Sequence, residues 1–342
     1  MKLKELLALR ITNGEFKFGD RFPGLHKICE EYGISYVTVN KTMKILVKEG
    51  YLQARNGVGY FVCYVPSDTI ATRKIVNFIT GLEESHPMWP FIYKGKELFE
   101  NAGWEVNIHC FSNNDLSKCV PLMNSPDAYN VLFFSILQWE NFIATFDHIV
   151  QRTVVLGMLA DNEEISCIIS DEYATVRQCI DYFKKRGRKR TGLIYHSPAS
   201  RLEKLRIAAW RMMMEAEGCT HNEINDLYTA LGNIDVSEKK AKKACVNWLQ
   251  KNKDKIDSLI IPHLHAAVID ACLEVGLRIP EDIDILGIAL PTQIKHKVNM
   301  PLIENNLVEH FNIALSIIEE RFKTGQKDHS SWYFCPPGKY IE

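Results

Sequence analysis

The sequence of 342 residues predicts an α/β protein with a small N-terminal domain and a larger, doubly wound body. Two observations predict this division. Residues 21–62 contain two helix patterns and a hairpin signal, joined by short turns. From Arg73 onward, strand-like and helix-like segments alternate, and several helix patterns end at glycine, which is typical of parallel sheets. Roughly ten strands in about 270 residues favour two lobes over one continuous sheet.

The first domain has the pattern of two helices followed by a hairpin. Residues 25–32 form a short helix pattern that Gly33 interrupts, and Ser35 is placed to cap a second helix that runs to Glu49. The dipeptide Asn56-Gly57 then lies between two short apolar runs. It is a strong hairpin signal because both residues tolerate positive φ. This order predicts a winged helix-turn-helix, a fold that binds duplex DNA.

The second helix separates into two faces at about 100° per residue. The apolar face contains Val39, Met43, Leu46 and Val47, and another, roughly contiguous face contains Tyr36, Asn40, Lys41, Lys44 and Lys48. A basic, amide-bearing face suits the major groove, where Asn can bond adenine and Lys can bond guanine. We therefore expect DNA contacts from Ser35, Tyr36, Thr38, Asn40, Lys41, Lys44, Arg55, Asn56 and Gly57. The alternative is an ordinary amphipathic helix with a solvated polar face, which the accompanying turn, cap and hairpin disfavour.

Residues 21–62 resemble the GntR family of bacterial regulators. The matching pieces are Phe22-Pro23-Gly24, Gly33-Ile34-Ser35, Thr38-Val39 and Gly57-Val58-Gly59-Tyr60-Phe61-Val62. Members of that family usually have Arg at the position of Tyr36, and often at the positions of Asn40 and His26. The resemblance implies family-like placement on DNA, and it adds His26 to the expected DNA contacts.

Charge and cysteine content set limits on the whole chain. Residues 1–65 contain ten Lys and Arg against six Asp and Glu, a net charge of +4 within a chain whose net charge is −1. A basic head on a mildly acidic body fits one nucleic-acid-binding module. The ten cysteines form no Cys-x-x-Cys pair, and no secretory signal or membrane span is evident. We expect a cytoplasmic, reduced protein without a disulfide framework, metal or cofactor.

The body is predicted as alternating strands and helices. Predicted strands are Lys74–Thr80, Trp104–Cys110, Asn130–Phe134, Thr153–Leu156, Cys167–Ile169, Thr191–Tyr195, Asp257–Ile261 and Ile283–Ile288. Predicted helices are Pro90–Ala102, Trp139–Val150, Tyr173–Arg186, Leu202–Glu217, Val236–Lys253, Ala266–Val275 and Val308–Lys323.

The body resembles the effector domain of LacI/GalR regulators, a periplasmic-binding-protein-like pair of lobes. The resemblance rests on residues 170–194, on Arg206-Ile207-Ala208-Ala209-Trp210 and on residues 276–288. It implies two doubly wound lobes, with the chain crossing between them and ligand held in the crevice at the carboxyl ends of the strands. We therefore expect a DNA-binding domain at 1–65, a linker at 66–73, and an effector-binding and dimerisation domain at 74–342.

The ligand positions depart from that family. Its Asn-Asp pair is replaced by Pro262-His263-Leu264-His265, and its Gly-Phe-Asp by Gly287-Ile288-Ala289. The remaining candidate ligand contacts are Arg206, Asp171, Trp89, Phe91, Trp139 and His263. Three alternatives stay open: Arg206 in an ordinary salt bridge, Asp171 as a helix cap, and the aromatic residues as core.

These observations predict a ligand-responsive transcription regulator, a repressor that binds a palindromic operator as a homodimer. The expected effector is a small polar molecule such as a sugar, and the expected process is carbohydrate metabolism. One alternative is a constitutive DNA-binding dimer whose body no longer binds ligand. An enzyme is the other, although no Gly-x-Gly-x-x-Gly, Gly-x-x-x-x-Gly-Lys-Ser/Thr or Gly-x-Ser-x-Gly motif is present.

Overall fold

In the computed structural model, the described residues are 2–55, 57–64, 73–86, 88–111, 119–123, 125, 127–133, 152–159, 165–195, 199–231, 237–289, 298, 300–325 and 332–341. They fall into two units, Met1–Ile169 with Val308–Tyr333 and Ser170–Leu307 with Phe334–Glu342. The chain therefore passes from one unit to the other three times. The predicted helix Trp139–Val150 lies outside the described residues.

The N-terminal head confirms the predicted winged helix-turn-helix. Its elements are α1 (Leu3–Thr12), β1 (Arg21–Phe22), α2 (Leu25–Tyr32), α3 (Tyr36–Lys48), β2 (Leu52–Arg55) and β3 (Gly59–Val62). The strands form an antiparallel sheet in the order β1-β3-β2. The head core includes six apolar side chains at 0% exposure, namely Leu7, Ile28, Val39, Met43, Leu46 and Leu52. Helix α1 was not predicted, yet its Leu3, Leu7 and Ile11 face this core at helical spacing.

The rest of the first unit contains a six-stranded sheet in the order β14-β8-β7-β6-β4-β5. Its strands are β4 (Ile75–Thr80), β5 (Glu105–Cys110), β6 (Ala128–Phe133), β7 (Thr153–Leu156), β8 (Ser166–Ser170) and β14 (Trp332–Cys335). Its helices are α4 (Trp89–Asn101), the short α5 (Val120–Met123) and α11 (Leu307–Thr324). The pairs from β5 across to β8 are parallel, as the alternating pattern predicted.

An aromatic cluster fixes α4 and α11 on this sheet. The Phe78 ring lies 5.2 Å from Phe99, 5.8 Å from Phe133 and 5.4 Å from Phe311, measured between centroids. Gly95 of α4 lies directly over the Phe311 ring, and a Cβ at that position would overlap it. Helix α4 can therefore approach α11 this closely only with glycine at position 95.

The second unit contains another six-stranded sheet, in the order β10-β9-β11-β12-β13-β15. Its strands are β9 (Thr191–Tyr195), β10 (Tyr228–Ala230), β11 (Ser258–Ile261), β12 (Asp284–Ala289), β13 (Leu302–Glu304) and β15 (Tyr340–Ile341). Its helices are α6 (Glu172–Lys185), α7 (Arg201–Ala216), α8 (His221–Asp226), α9 (Glu238–Asn252) and α10 (His265–Glu274). Five strands run parallel, which confirms the doubly wound prediction.

The structure differs from the sequence expectation at the edges of this sheet. Strand β15 pairs antiparallel to β13, with Leu302 opposite Ile341, whereas only parallel strands were expected. Strand β15 is the last strand of that sheet in sequence, because the chain re-enters the second unit only at Phe334. Strands β10, β13 and β15 were not predicted, since each has two or three residues and too little periodicity to recognise. No helix among the described residues is long and apolar enough to span a membrane.

Candidate functional site

Helix α3 is fixed at its start by a cap and along its length by the head core. The backbone N–H of Thr38 donates to the Ser35 hydroxyl at 3.4 Å, and Gly33, at a φ of 64°, ends the preceding helix. Val39 and Met43 are buried at 0% exposure. The opposite face of α3 is therefore held outward in one defined orientation.

The outward face of α3 is positively charged and free of ion pairs. Lys41, Lys44 and Lys48 are exposed, Asn40 is half-buried beside them, and none of the three lysines has a carboxylate partner among the described residues. Two other cations of the head are ion-paired, Arg10 with Glu15 and Glu31, and Lys4 with Glu49. The three lysines of this helix face therefore keep a positive charge that no carboxylate among the described residues neutralises.

Helix α2 contributes an aromatic residue to the same end of α3. The ring centroids of His26 and Tyr36 lie 5.3 Å apart, and both side chains are exposed. Tyr36 is the first residue of α3, and His26 the second residue of α2. The structure therefore brings together two expected DNA contacts that are ten positions apart in sequence.

The hairpin between β2 and β3 presents an arginine. The guanidinium carbon of Arg55 lies 4.2 Å from the centre of the Phe61 ring, a cation–π contact that leaves the side chain exposed. Gly57 has a φ of +73°, as the hairpin signal predicted, and Arg21 donates to the carbonyl of Val58 at 2.9 Å. Asn56, also an expected contact, lies outside the described residues.

In the second unit, Arg206 is engaged in a buried network. Its Nε and Nη2 donate to the two carboxylate oxygens of Glu172, and its Nη1 donates to the Tyr195 hydroxyl at 2.9 Å. Arg206 is 8% exposed and Glu172 4%. Burial alone would lower the pKa of Arg206, but the neighbouring Tyr195 and the Glu172 carboxylate hold that pKa above its usual range. Glu172 therefore occupies two donor nitrogens of the Arg206 guanidinium. This arrangement is the salt-bridge alternative that the sequence left open for Arg206.

Asp171 caps α6. Its carboxylate accepts from the backbone N–H of Ala174 at 2.9 Å, and its carbonyl accepts from the Thr175 hydroxyl at 2.8 Å. This is the second alternative that the sequence left open, and it gives Asp171 a structural role at the start of the helix.

His263 follows β11 and meets α7. Its Nε2 lies 3.2 Å from Oε1 of Glu203, and its ring packs edge-on against Tyr195 at 5.6 Å between centroids. Oε2 of Glu203 accepts from the backbone N–H of Ser200 at 2.6 Å. The His263 side chain is 46% exposed. A half-exposed imidazole and a carboxylate therefore lie together where β9 and β11 end.

Sequence reasoning missed Glu172, Tyr195 and Glu203. A signal existed for Glu203, because Ser200-x-x-Glu203 is a capping-box pattern, and both reciprocal bonds of that box are present. No comparable signal marks Glu172, which is 34 positions from Arg206 in sequence.

The remaining candidates are Trp89, Phe91 and Trp139. Trp89 and Phe91 belong to α4 of the first unit. Trp89 is 4% exposed, its ring lies 5.5 Å from Tyr93, and its indole nitrogen has no hydrogen-bond partner, whereas Phe91 is half-buried. Trp139 lies outside the described residues. The described part of the chain contains no group of three or more His, Cys, Asp or Glu residues that could hold a metal ion.

His265, the first residue of α10, is a buried neutral base. Burial and the nearby His263 lower the pKa of His265 to about 4. Its Nε2 lies against Gly287 of β12, where an added Cβ would be 3.5 Å away, and it has no hydrogen-bond partner in the structure.

Two family models match the chain. Residues 2–62 match the bacterial regulatory proteins of the gntR family, and residues 180–295 match a periplasmic binding protein-like domain. Over 75 residues, the chain is 36% identical to a probable rhizopine catabolism regulatory protein, MocR, of Rhizobium meliloti. That match covers 22% of this chain and 15% of the relative, and the chain spans at most 26% of the length of the other curated relatives that it matches.

Solved structures resemble most of the chain. A LacI-family regulatory protein from Chloroflexus aggregans superposes with a TM-score of 0.63 at 14% identity, covering 77% of this chain and 95% of that one. A LacI-family transcriptional regulator from Arthrobacter sp. FB24, in complex with lactose, superposes with a TM-score of 0.58 at 15% identity, covering 79% and 98%. At these identities the likeness shows a shared fold.

Proposed function

We propose that this chain, which joins a GntR-family helix-turn-helix domain to a periplasmic-binding-protein-like domain, is a transcription regulator that represses by binding an operator and responds to a small polar ligand. The observation that carries the proposal is the outward face of α3, where Lys41, Lys44 and Lys48 have no ion-pair partner among the described residues. An isolated cationic stripe on a capped helix matches the phosphate charge and the groove width of B-DNA.

We assign each residue a DNA contact according to its position on the head. Asn40 and Lys41 contact base edges in the major groove, while Ser35 and Thr38 bind phosphate at the N-terminus of α3 and Lys44 binds phosphate farther along the helix. Arg55 reaches the adjacent minor groove or its phosphates from the hairpin. His26 and Tyr36 contact the bases nearest the start of α3.

One such head reads only a short half-site, so we propose a homodimer on a palindromic operator. A dyad that relates two protomers places two copies of α3 in successive major grooves, roughly 34 Å apart along the duplex. Repression is the simpler sign of regulation, because occupation of a promoter requires no partner besides the DNA.

We propose that the ligand binds in the second unit beside His263, where β9 and β11 end. Glu172 already binds the guanidinium of Arg206 through both carboxylate oxygens, so this guanidinium is not free to bind an anionic ligand. His263 and Glu203 can instead donate to and accept from hydroxyl groups. The lactose complex of the Arthrobacter regulator supports a neutral sugar as the ligand class.

Selection of duplexes from a random-sequence pool by the full chain tests the DNA-binding proposal. We expect enrichment of an inverted repeat, and we expect Lys41→Ala to weaken binding to the enriched duplex by about 1–3 kcal/mol more than binding to a scrambled duplex. Arg177→Ala, at an exposed site of the second unit, is the matched control and should change neither affinity. A pool that remains random after repeated rounds would contradict the proposal.

Thermal-shift measurement of the full chain tests the ligand proposal. Because a ligand that binds only the folded state raises its melting temperature, we expect neutral sugars to raise it and His263→Ala to abolish the rise. Sugar phosphates and sugar acids form the comparison group. If no compound raises the melting temperature while operator binding persists, the chain is the constitutive alternative.

A further inference from the structure

An exposed apolar patch interrupts the basic face of α3. Val37, the second residue of that helix, is 76% exposed, more than any other large apolar side chain among the described residues. Tyr36 beside it is 47% exposed, and its ring contacts the exposed ring of His26. Folding gains nothing from leaving these groups in water, since apolar side chains stabilise only when buried.

The patch lies within the cationic stripe. Val37, Lys41, Lys44 and Lys48 are separated by four, three and four positions, so their side chains form one row along the helix. Val37 occupies the N-terminal end of this row, and the N-terminal residues of a recognition helix are those that reach base edges. A partner that covers the patch must also neutralise the adjacent lysines. DNA neutralises them, which commits the patch to DNA.

Within the major groove, one base presents an apolar group. The C5 methyl of thymine projects into the groove beside hydrogen-bonding atoms, and apolar side chains contact it there. The branched side chain of Val37 and the neighbouring ring of Tyr36 provide a shallow apolar surface that can pack against this methyl group.

We propose that Val37 and Tyr36, with His26 supporting the Tyr36 ring, form a contact for a thymine methyl and thereby select thymine at one position of each half-site. The inference rests on the proposed DNA-binding function and adds the identity of one base to it. Val37 was not among the residues expected to contact DNA, because it offers no hydrogen bond and no charge.

Replacement of thymine by deoxyuridine tests the contact, because it removes only the C5 methyl. The probe is the duplex that the full chain enriches from a random pool, with each thymine replaced in turn. We expect one position per half-site at which deoxyuridine weakens binding about fourfold, the contribution of one buried methyl group. In Val37→Ala, the thymine and deoxyuridine duplexes should bind with nearly equal affinity.

Control variants separate this contact from general effects. Lys41→Ala should weaken the thymine and deoxyuridine duplexes by the same factor, which leaves the ratio between them unchanged. Leu9→Ala, another exposed apolar residue at 46% exposure but on α1, should leave both affinities unchanged. Because Val37 is exposed, Val37→Ala should keep the melting temperature of the wild-type chain.

Two results would overturn the inference while operator binding survives. One is an enriched duplex in which no thymine is sensitive to deoxyuridine. The other is a sensitivity that persists unchanged in both Val37→Ala and Tyr36→Ser. A pool that yields no enriched duplex would overturn the proposed function, and this inference with it.

Discussion

At the residue scale, Arg206 and Glu172 illustrate how a buried charge pair constrains its surroundings. Both side chains are almost fully buried, and Glu172 binds the guanidinium with both carboxylate oxygens. Such a pair contributes little net stability relative to apolar residues, but loss of one member leaves the other charged and unpaired. Arg206 therefore orients Tyr195 and the start of α6.

We predict that Arg206→Ala destabilises the second unit by about 3–5 kcal/mol, because the Glu172 carboxylate loses its partner in a buried site. Urea-induced unfolding of the full chain measures the loss, and Glu172→Gln in the same chain should recover part of it. Arg177→Ala is the matched control. Arg177 faces Asp181 at 3.9 Å with 69% of its side chain exposed, so its removal should cost less than about 0.5 kcal/mol. Equal losses for the two arginines would contradict the structural role of Arg206.

We predict that His265 makes the folded state sensitive to acid. Its pKa is lowered to about 4 from a value of 6.5, so it stays neutral in the folded chain while the unfolded chain takes up a proton. Stability is then fully present above pH 6.5 and falls as the pH drops towards 4. The difference in unfolding free energy between the wild type and His265→Gln should shrink by about 3 kcal/mol over that interval. Parallel pH profiles for the two proteins would exclude His265 as the source.

Residue types could be read from the sequence more easily than their partners. The cap by Ser35 and the positive φ of Gly57 depend on neighbours within a few positions, and both were predicted. The roles of Arg206 and Asp171 were left between two alternatives, because the choice for Arg206 depends on a carboxylate 34 positions away. No local pattern encodes a contact of that sequence separation.

At the element scale, the head was predictable because each element carries its own terminating signal. Helices α2 and α3 were predicted within one residue of their observed ends, since glycine and serine mark their boundaries. Helix α1 was missed, because leucine alternates with charged residues there and the backbone N–H of Lys2 is capped by the Glu5 side chain rather than by a Ser or Asp. Short edge strands were missed for the related reason that they carry no periodicity of their own.

We predict that the hairpin between β2 and β3 needs a residue that tolerates positive φ at position 57. Gly57 has a φ of +73°, and although an added Cβ would contact nothing, a β-branched residue is strained in that backbone conformation. Gly57→Val should therefore weaken operator binding severalfold, roughly 1–2 kcal/mol, by displacing Arg55. Gly57→Asn, which tolerates the same conformation, should retain most of the affinity. Fluorescence anisotropy with the enriched duplex measures both, and indistinguishable affinities for Val and Asn would remove the hairpin from the interface.

At the scale of the whole molecule, the chain joins a positively charged head to a body built of two predominantly parallel sheets. The family models match these parts separately, residues 2–62 and residues 180–295, and the proposed DNA and ligand contacts lie in these two different segments. A ligand can then alter DNA binding only by its differential affinity for two states of the body. Lys41→Ala should therefore change DNA affinity without changing the ligand response. His263→Ala should change the ligand response without changing DNA affinity.

The salt dependence of operator affinity tests the central claim most directly, namely that the lysine face of α3 is the DNA interface. Affinity of the full chain for its enriched duplex is measured between about 50 and 200 mM salt, for the wild type and for Lys44→Ala. The account predicts a steep loss of affinity with salt in the wild type, because bound lysines release counterions from phosphates. It also predicts a log–log slope that is shallower by about one for each Lys44 removed, because Lys44 binds phosphate. An affinity independent of salt, or equal slopes and affinities for the two proteins, would contradict it.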